Sequence, residues 1–176
     1  MRNIRFITLV LIILGGALSR LIPHYWNMTP LIGMALFGGA HFQNRRTAMG
    51  MVLAAMILSD LFIGYHSLLP LVYALLLGFV WVGTYLKENK KPLLVLTAAF
   101  GSSVIFFLIT NFAVWLTSGL YPLTGEGLTR CFIYAIPFFQ HQLLGDILFT
   151  AVFFGGFALA EHRFSVLKKT SASLVA

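Results

Sequence analysis

The sequence predicts an all-α integral membrane protein: a single domain (1–176) of six transmembrane helices with cytoplasmic N- and C-termini and a short amphipathic, interfacial helix in the outer segment 119–142. Composition gives the solvent. Of 176 residues 59% are hydrophobic and 10% charged, with a mean hydropathy of +0.90, whereas soluble domains carry about 25% charged residues. The pattern gives the helices. Apolar residues come in long blocks without the alternation of a barrel strand, and a helix satisfies its own backbone in lipid. Charge gives the orientation. Ten of the twelve Lys and Arg residues fall in four segments that a six-span chain puts on one side, the cytoplasmic side by the excess of basic residues expected there.

The blocks run from Ile4 to Ser19, Pro30 to Phe42, Thr47 to Gly64, Ser67 to Leu86, Leu93 to Ser118 and Leu143 to Ala160. "MRNIR", an apolar run and "ALS" also match the pattern of a cleaved secretory signal; a retained first helix is the expectation. The second block is short for a hydrocarbon core of about 30 Å, so it either extends into "HFQN" or lies where protein surrounds it. Thr29 is expected to cap it with Pro30 in the first turn, and Pro92 to open the fifth. Pro137 is expected to break "CFIYAIPFF" from the sixth span, leaving 119–142 as a lid or a static interfacial helix. Small residues four apart (Gly15/Ser19, Ala35/Gly39, Gly50/Ala54, Gly156/Ala160) permit close helix packing in lipid. Gly15, Ser19, Gly50 and Ala54 are candidates for helix packing or for docking a partner.

The net charge of +7 follows the membrane rather than a nucleic acid. Arg2, Arg5, Arg45, Arg46, Lys87, Lys90, Lys91, Arg163, Lys168 and Lys169 share the cytoplasmic side, and only Arg20 and Arg130 are outside. No nucleic-acid partner is expected. The chain has no GxxxxGK[ST] phosphate loop, so ATP energy would come from partner chains. The lone Cys131 forms no internal disulfide. Neither a metal nor another cofactor is expected.

Two aspartates then stand out. An ionised carboxylate at the centre of a bilayer costs about 2.5–3.5 kcal/mol on insertion scales, yet Asp60 sits in "ILSDLFIGYH" and Asp146 in "LLGDILFT". Given the topology, both lie a few residues below the outer surface. No Lys or Arg occupies the third, fifth or sixth span. Ser103, Thr110, Asn111 and Thr117 form a stripe on the fifth, and the cytoplasmic half has almost no such groups within its spans. Asp60, Asn111 and Asp146 are therefore candidate substrate-binding residues on the floor of an outward pocket, with His24, Trp26, Asn27 and His66 at its mouth. No catalytic residues are expected. An intramembrane aspartyl protease would need a Gly-x-Gly-Asp motif, and here the chain reads Leu143-Leu144-Gly145-Asp146. Alternatives are a proton-coupled carrier using Asp60 and Asp146, and a structural or assembly subunit.

The phrases "RLIPHYWNMTPLIGMALFGGAHF", "AAMILSDLFIGYH", "FFLITNFAVWL" and "YAIPFFQHQLLGDILFTAVFFGGF" resemble a family of small bacterial membrane proteins of unassigned function, described as transport proteins. That family is distantly similar to the S components of energy-coupling factor transporters. These are six-helix subunits that bind vitamins and other micronutrients on the outer side. The resemblance implies a multi-pass protein of the bacterial inner membrane with a small-molecule solute and, as partner, a coupling subunit with ATPases. Solitary S-component-like proteins for cobalamin imply that such a module can be absent. S components carry Ala-xxx-Ala in the first helix where the coupling subunit docks; here that helix has Gly15-xxx-Ser19.

Overall fold

A computed structural model describes residues 2–22 and 28–168. Its six helices are α1 (Arg2–Ser19), α2 (Leu31–His41), α3 (Arg45–Ile63), α4 (Leu69–Tyr85), α5 (Pro92–Thr117) and α6 (Gly125–Arg163), followed by a single 3-10 turn, Ser165–Leu167. α3, α5 and α6 are long and apolar enough to cross a membrane. Only 28% of the most apolar window of α5, and the same share of α6, is buried. Large side chains such as Phe62, Leu93, Phe112 and Leu159 point outward. An apolar exterior of this kind fits lipid and not water.

α2 is the hub. All eleven of its residues are buried, and it packs on each of the other five helices. A helix apolar on every side is stable only when it is enclosed, so the second block is indeed surrounded by protein. Its own termini show how. Thr29 does not cap it: Pro30 takes the N-cap position without a side-chain hydrogen bond. The N–H of Ile32 instead donates to the Asp146 side chain of α6. Pro92 opens α5 as expected, and the Asn44 side chain caps α3 by accepting from Arg46 N at 2.8 Å.

The sixth block differs most. α6 begins at Gly125 and runs for 39 residues straight through Pro137, so the separate interfacial helix expected in 119–142 is the first half of α6. Thr124 starts it, its hydroxyl accepting from Gly127 N at 3.2 Å, with Glu126 in the first turn. An internal proline removes one backbone hydrogen bond, and α5 splints the interruption. The Phe107 ring meets Phe132 on one side of Pro137 and Phe139 on the other, with centroids 5.6 and 4.5 Å apart.

The basic segments converge at one end. Lys87 Nζ donates to the Gln43 carbonyl at 2.8 Å, joining the loops after α2 and α4. Arg5 pairs with Glu161, reaches the Leu167 carbonyl, and lies over the Phe157 ring.

Of the small-residue pairs, Gly15 and Gly50 make no close helix contact among the described residues. Gly15 and Gly50 face open space, Ala54 is exposed, and Ser19 bonds its own helix at Gly16 O. The close contacts lie elsewhere. A Cβ added at Gly39 would overlap the Val80 carbonyl, and one at Gly83 the Leu36 carbonyl, so α2 and α4 touch backbone to backbone. Overpacking so tight a contact costs about 1–3 kcal/mol or more. Gly39→Leu is therefore expected to lower the melting temperature in detergent clearly, and Gly50→Leu to leave it unchanged. Equal effects would mean that the α2–α4 contact does not limit stability.

Candidate functional site

At the end of the bundle opposite the basic segments lies a cavity of about 350 Å³. Its walls are apolar and largely aromatic: Phe106 and Phe107 from α5, Phe138 and Phe139 from α6, and Leu69 and Val72 from α4. The polar groups on its surface are Arg20, Thr29, His66, Thr110, Asn111 and Gln142. His66 is exposed at the rim, and Asn111 lines the wall. His24, Trp26 and Asn27 lie outside the described residues.

The two aspartates are not on the cavity surface; each lies behind a residue that is. Asp60 is 2% exposed and accepts from Arg20 Nη2 at 2.8 Å through Oδ1 and from the Tyr73 hydroxyl at 2.8 Å through Oδ2. Arg20 Nη1 meanwhile reaches the Ser59 hydroxyl and, at 3.4 Å, the Met56 sulfur. Asp60 thus has a cationic partner although no Lys or Arg lies within the third, fifth or sixth span. Arg20 lies one residue past α1, outside every span, and its long side chain folds down into the bundle. A buried carboxylate with both oxygens bonded to donors, one of them cationic, is tolerable in a dry interior.

Asp146 has a different set of partners. It accepts from the Ser103 hydroxyl at 2.5 Å, from Ile32 N–H, and more weakly from Gln142 Nε2 at 3.5 Å. Gln142 Nε2 also donates to the Ser103 carbonyl at 3.2 Å. Asp146 therefore ties α6 to α5 and to the positive N-terminal end of α2. Among the described residues the two aspartates share no partner.

Arg20 and Gln142 are the site residues that sequence reasoning missed. A signal for Arg20 was present: an acidic residue inside a span calls for a cation, and Arg20 was one of only two basic residues on that side. Gln142 carried no such signal, because its position depends on α6 starting eighteen residues early.

The opposite end is more polar than expected. A second cavity of about 380 Å³ there is lined by Arg5, His41, Gln43, Asn44 and Thr47 among others. Buried His41 bonds the Phe37 carbonyl through Nδ1 at 3.0 Å. Among the described residues no three His, Cys, Asp or Glu side chains converge as a metal site would require. Cys131 is buried, its thiol 3.5 Å from the Asn111 carbonyl.

A family of unknown function, DUF6580, matches residues 1–169. The chain belongs to this family. Neither a curated protein nor a solved structure matches it.

If Asp146 holds three helices together, deleting its carboxylate strands a buried hydroxyl and a buried N–H, each at about 1–3 kcal/mol. Asp146→Ala is expected to destabilise the detergent-solubilised protein by about 2–4 kcal/mol and Ser103→Ala by less. A smaller loss for Asp146→Ala than for Ser103→Ala would contradict the helix-capping role.

Proposed function

We propose that this chain is a multi-pass protein of the bacterial inner membrane that captures a small solute from the outside and helps to move it inward, in the manner of an S component. The observation that carries this is the aromatic-walled cavity at the end remote from the basic segments. Ligand sites are concave, mostly apolar, about 300–1,000 Å³ in size and furnished with a few converging polar groups. The cavity of about 350 Å³ fits that description, and the positive-inside rule turns it outward. Six spans with both termini cytoplasmic then follow, α2 crossing inside a sleeve of protein.

In this scheme Asn111, Gln142, Arg20 and His66 contact the solute, while Asp60 and Asp146 act as positioning residues beneath Arg20 and Gln142. Capture needs no chemistry, so no catalytic group is assigned. Energy would come from a coupling subunit with ATPases. The open faces around Gly15 and Gly50 leave the outer surfaces of α1 and α3 free for such a subunit.

Two measurements test this. In a Cys131→Ser background, Lys90→Cys should react with a membrane-impermeant thiol reagent only from the cytoplasmic side and Glu126→Cys only from outside; external labelling at position 90 would overturn the orientation. Protein purified in mild detergent should carry a small molecule detectable by native mass spectrometry. Ala135→Trp, which fills the cavity wall, should lose it while keeping its fold. Retention of the molecule by that variant would remove the cavity as the site.

A further inference from the structure

The cavity of about 380 Å³ at the basic end has no part in solute capture, and its lining is of two kinds. Phe6, Leu9 and Phe42 are apolar, with Phe6 edge-on to Phe42 at a centroid distance of 5.6 Å. Arg5, His41, Gln43, Asn44 and Thr47 are polar. Asn44 and Thr47 stand at the start of α3, where the first-turn N–H groups add positive potential. His41 gives the clearest sign of a ligand. It is 8% exposed, its ring packed by Phe37, Phe154 and Phe157. Nδ1 bonds the Phe37 carbonyl at 3.0 Å, and Nε2 has no hydrogen-bond partner among the described residues. Yet Nε2 is not one of the fully enclosed, partnerless polar atoms among them, which are Arg20 Nε and Thr150 Oγ1. It is therefore accessible, and the cavity that His41 lines is where it is reached. A ring nitrogen in so apolar a cluster calls for a polar partner. It accepts from a hydroxyl when the ring is neutral and donates to an anionic oxygen when it is charged.

Charge and position then identify the class of ligand. Ten of the chain's Lys and Arg residues belong to the segments at this end, against two carboxylates, Glu88 and Glu161. Among the described residues no carboxylate lines the cavity, and Glu161 is matched by Arg5. Arg45 and Arg46 are exposed at the start of α3. This potential favours an anion over a cation. The apolar lining favours an anion that carries hydrocarbon. Ile4, Ile7 and Leu11, which flank Phe6 and Leu9 along α1, are exposed, a surface against which acyl chains can lie. Basic pockets between helices at the membrane face are where anionic headgroups bind. A soluble phosphate would make no use of the apolar surface.

We propose that this cavity is a binding site for the headgroup of an anionic phospholipid of the phosphatidylglycerol class. The phosphate lies at the start of α3, where the amide N–H groups of Asn44 and the Thr47 hydroxyl can donate to it; the Asn44 oxygen is already spent on Arg46 N at 2.8 Å. An oxygen of the headgroup meets His41 Nε2, and the acyl chains run along α1. The bound lipid bridges α1, the end of α2 and the start of α3. The site is separate from the solute cavity, and it does not depend on which side of the membrane the basic end faces.

The test uses the full chain, freed of lipid in detergent, to which phosphatidylglycerol and phosphatidylcholine with the same acyl chains are added and counted by native mass spectrometry. Phosphatidylglycerol is expected to bind about tenfold more tightly than phosphatidylcholine. Thr47→Trp, which narrows the cavity and leaves the Arg5–Glu161 pair in place, should abolish that preference. His41→Phe keeps the ring packing but has no ring nitrogen, and it should weaken phosphatidylglycerol about tenfold, the worth of about one hydrogen bond. Neither variant should alter the binding of phosphatidylcholine, and His41→Phe decides the matter if Thr47→Trp does not fold. Equal affinity for the two lipids would overturn the assignment. So would a preference for phosphatidylglycerol that neither variant changes, which would put the lipid elsewhere on the basic end. Inorganic phosphate is the remaining arm: if it displaces the lipid and its own binding is lost in His41→Phe, the cavity is a site for a soluble anion and the lipid assignment fails.

Discussion

The ion pair between Arg20 and Asp60 is the contact on which the cavity end of this molecule depends. It joins the residue that follows α1 to the last turn of α3, and Tyr73 extends it to α4. Among the described residues Arg20 is the cation that pairs with Asp60. Its two oxygens need donors, and water is excluded from a residue that is 2% exposed. The pair has a second consequence. Holding two guanidinium nitrogens also fixes the third, Nε, which among the described residues has no hydrogen-bond partner.

The rest of the architecture organises itself around α2. An eleven-residue helix buried on every side needs neighbours that come close and that satisfy its ends. Gly39 and Gly83 allow the first, by letting α2 and α4 meet backbone to backbone. Asp146 supplies the second, by accepting from the first turn of α2. The two aspartates therefore do different work within one fold. Asp60 neutralises and orients a cation, and Asp146 caps a helix and steadies the α5–α6 pair through Ser103 and Gln142. The exposed faces of the helices can then be largely apolar.

Most of the helices were legible from hydropathy alone, because block length and block ends are local properties. The shortness of the second helix left two readings, extension into "HFQN" or enclosure by protein, and α2 is enclosed. What was not legible involved groups far apart in sequence. Pro137 read as a helix breaker, yet Phe107 on α5 supports α6 on both sides of it. Gly15/Ser19 and Gly50/Ala54 had the right spacing for packing, but spacing does not say which face meets a neighbour. The candidate site was half legible. Asn111 and His66 line the cavity, whereas Asp60 and Asp146 lie in a layer beneath its surface. Arg20 was placed on the outer side but not among the site residues, because its backbone lies outside the spans and only the length of its side chain brings it in.

The most direct test of this account is a double-mutant cycle on the ion pair, read as unfolding free energy in one detergent. Removing one partner of a buried pair leaves the other charge uncompensated and typically costs about 3–5 kcal/mol, whereas replacing both by apolar residues is often nearly neutral. The account predicts that Arg20→Met and Asp60→Leu are each strongly destabilising, and that the double variant recovers most of the loss. Losses that simply add would contradict it.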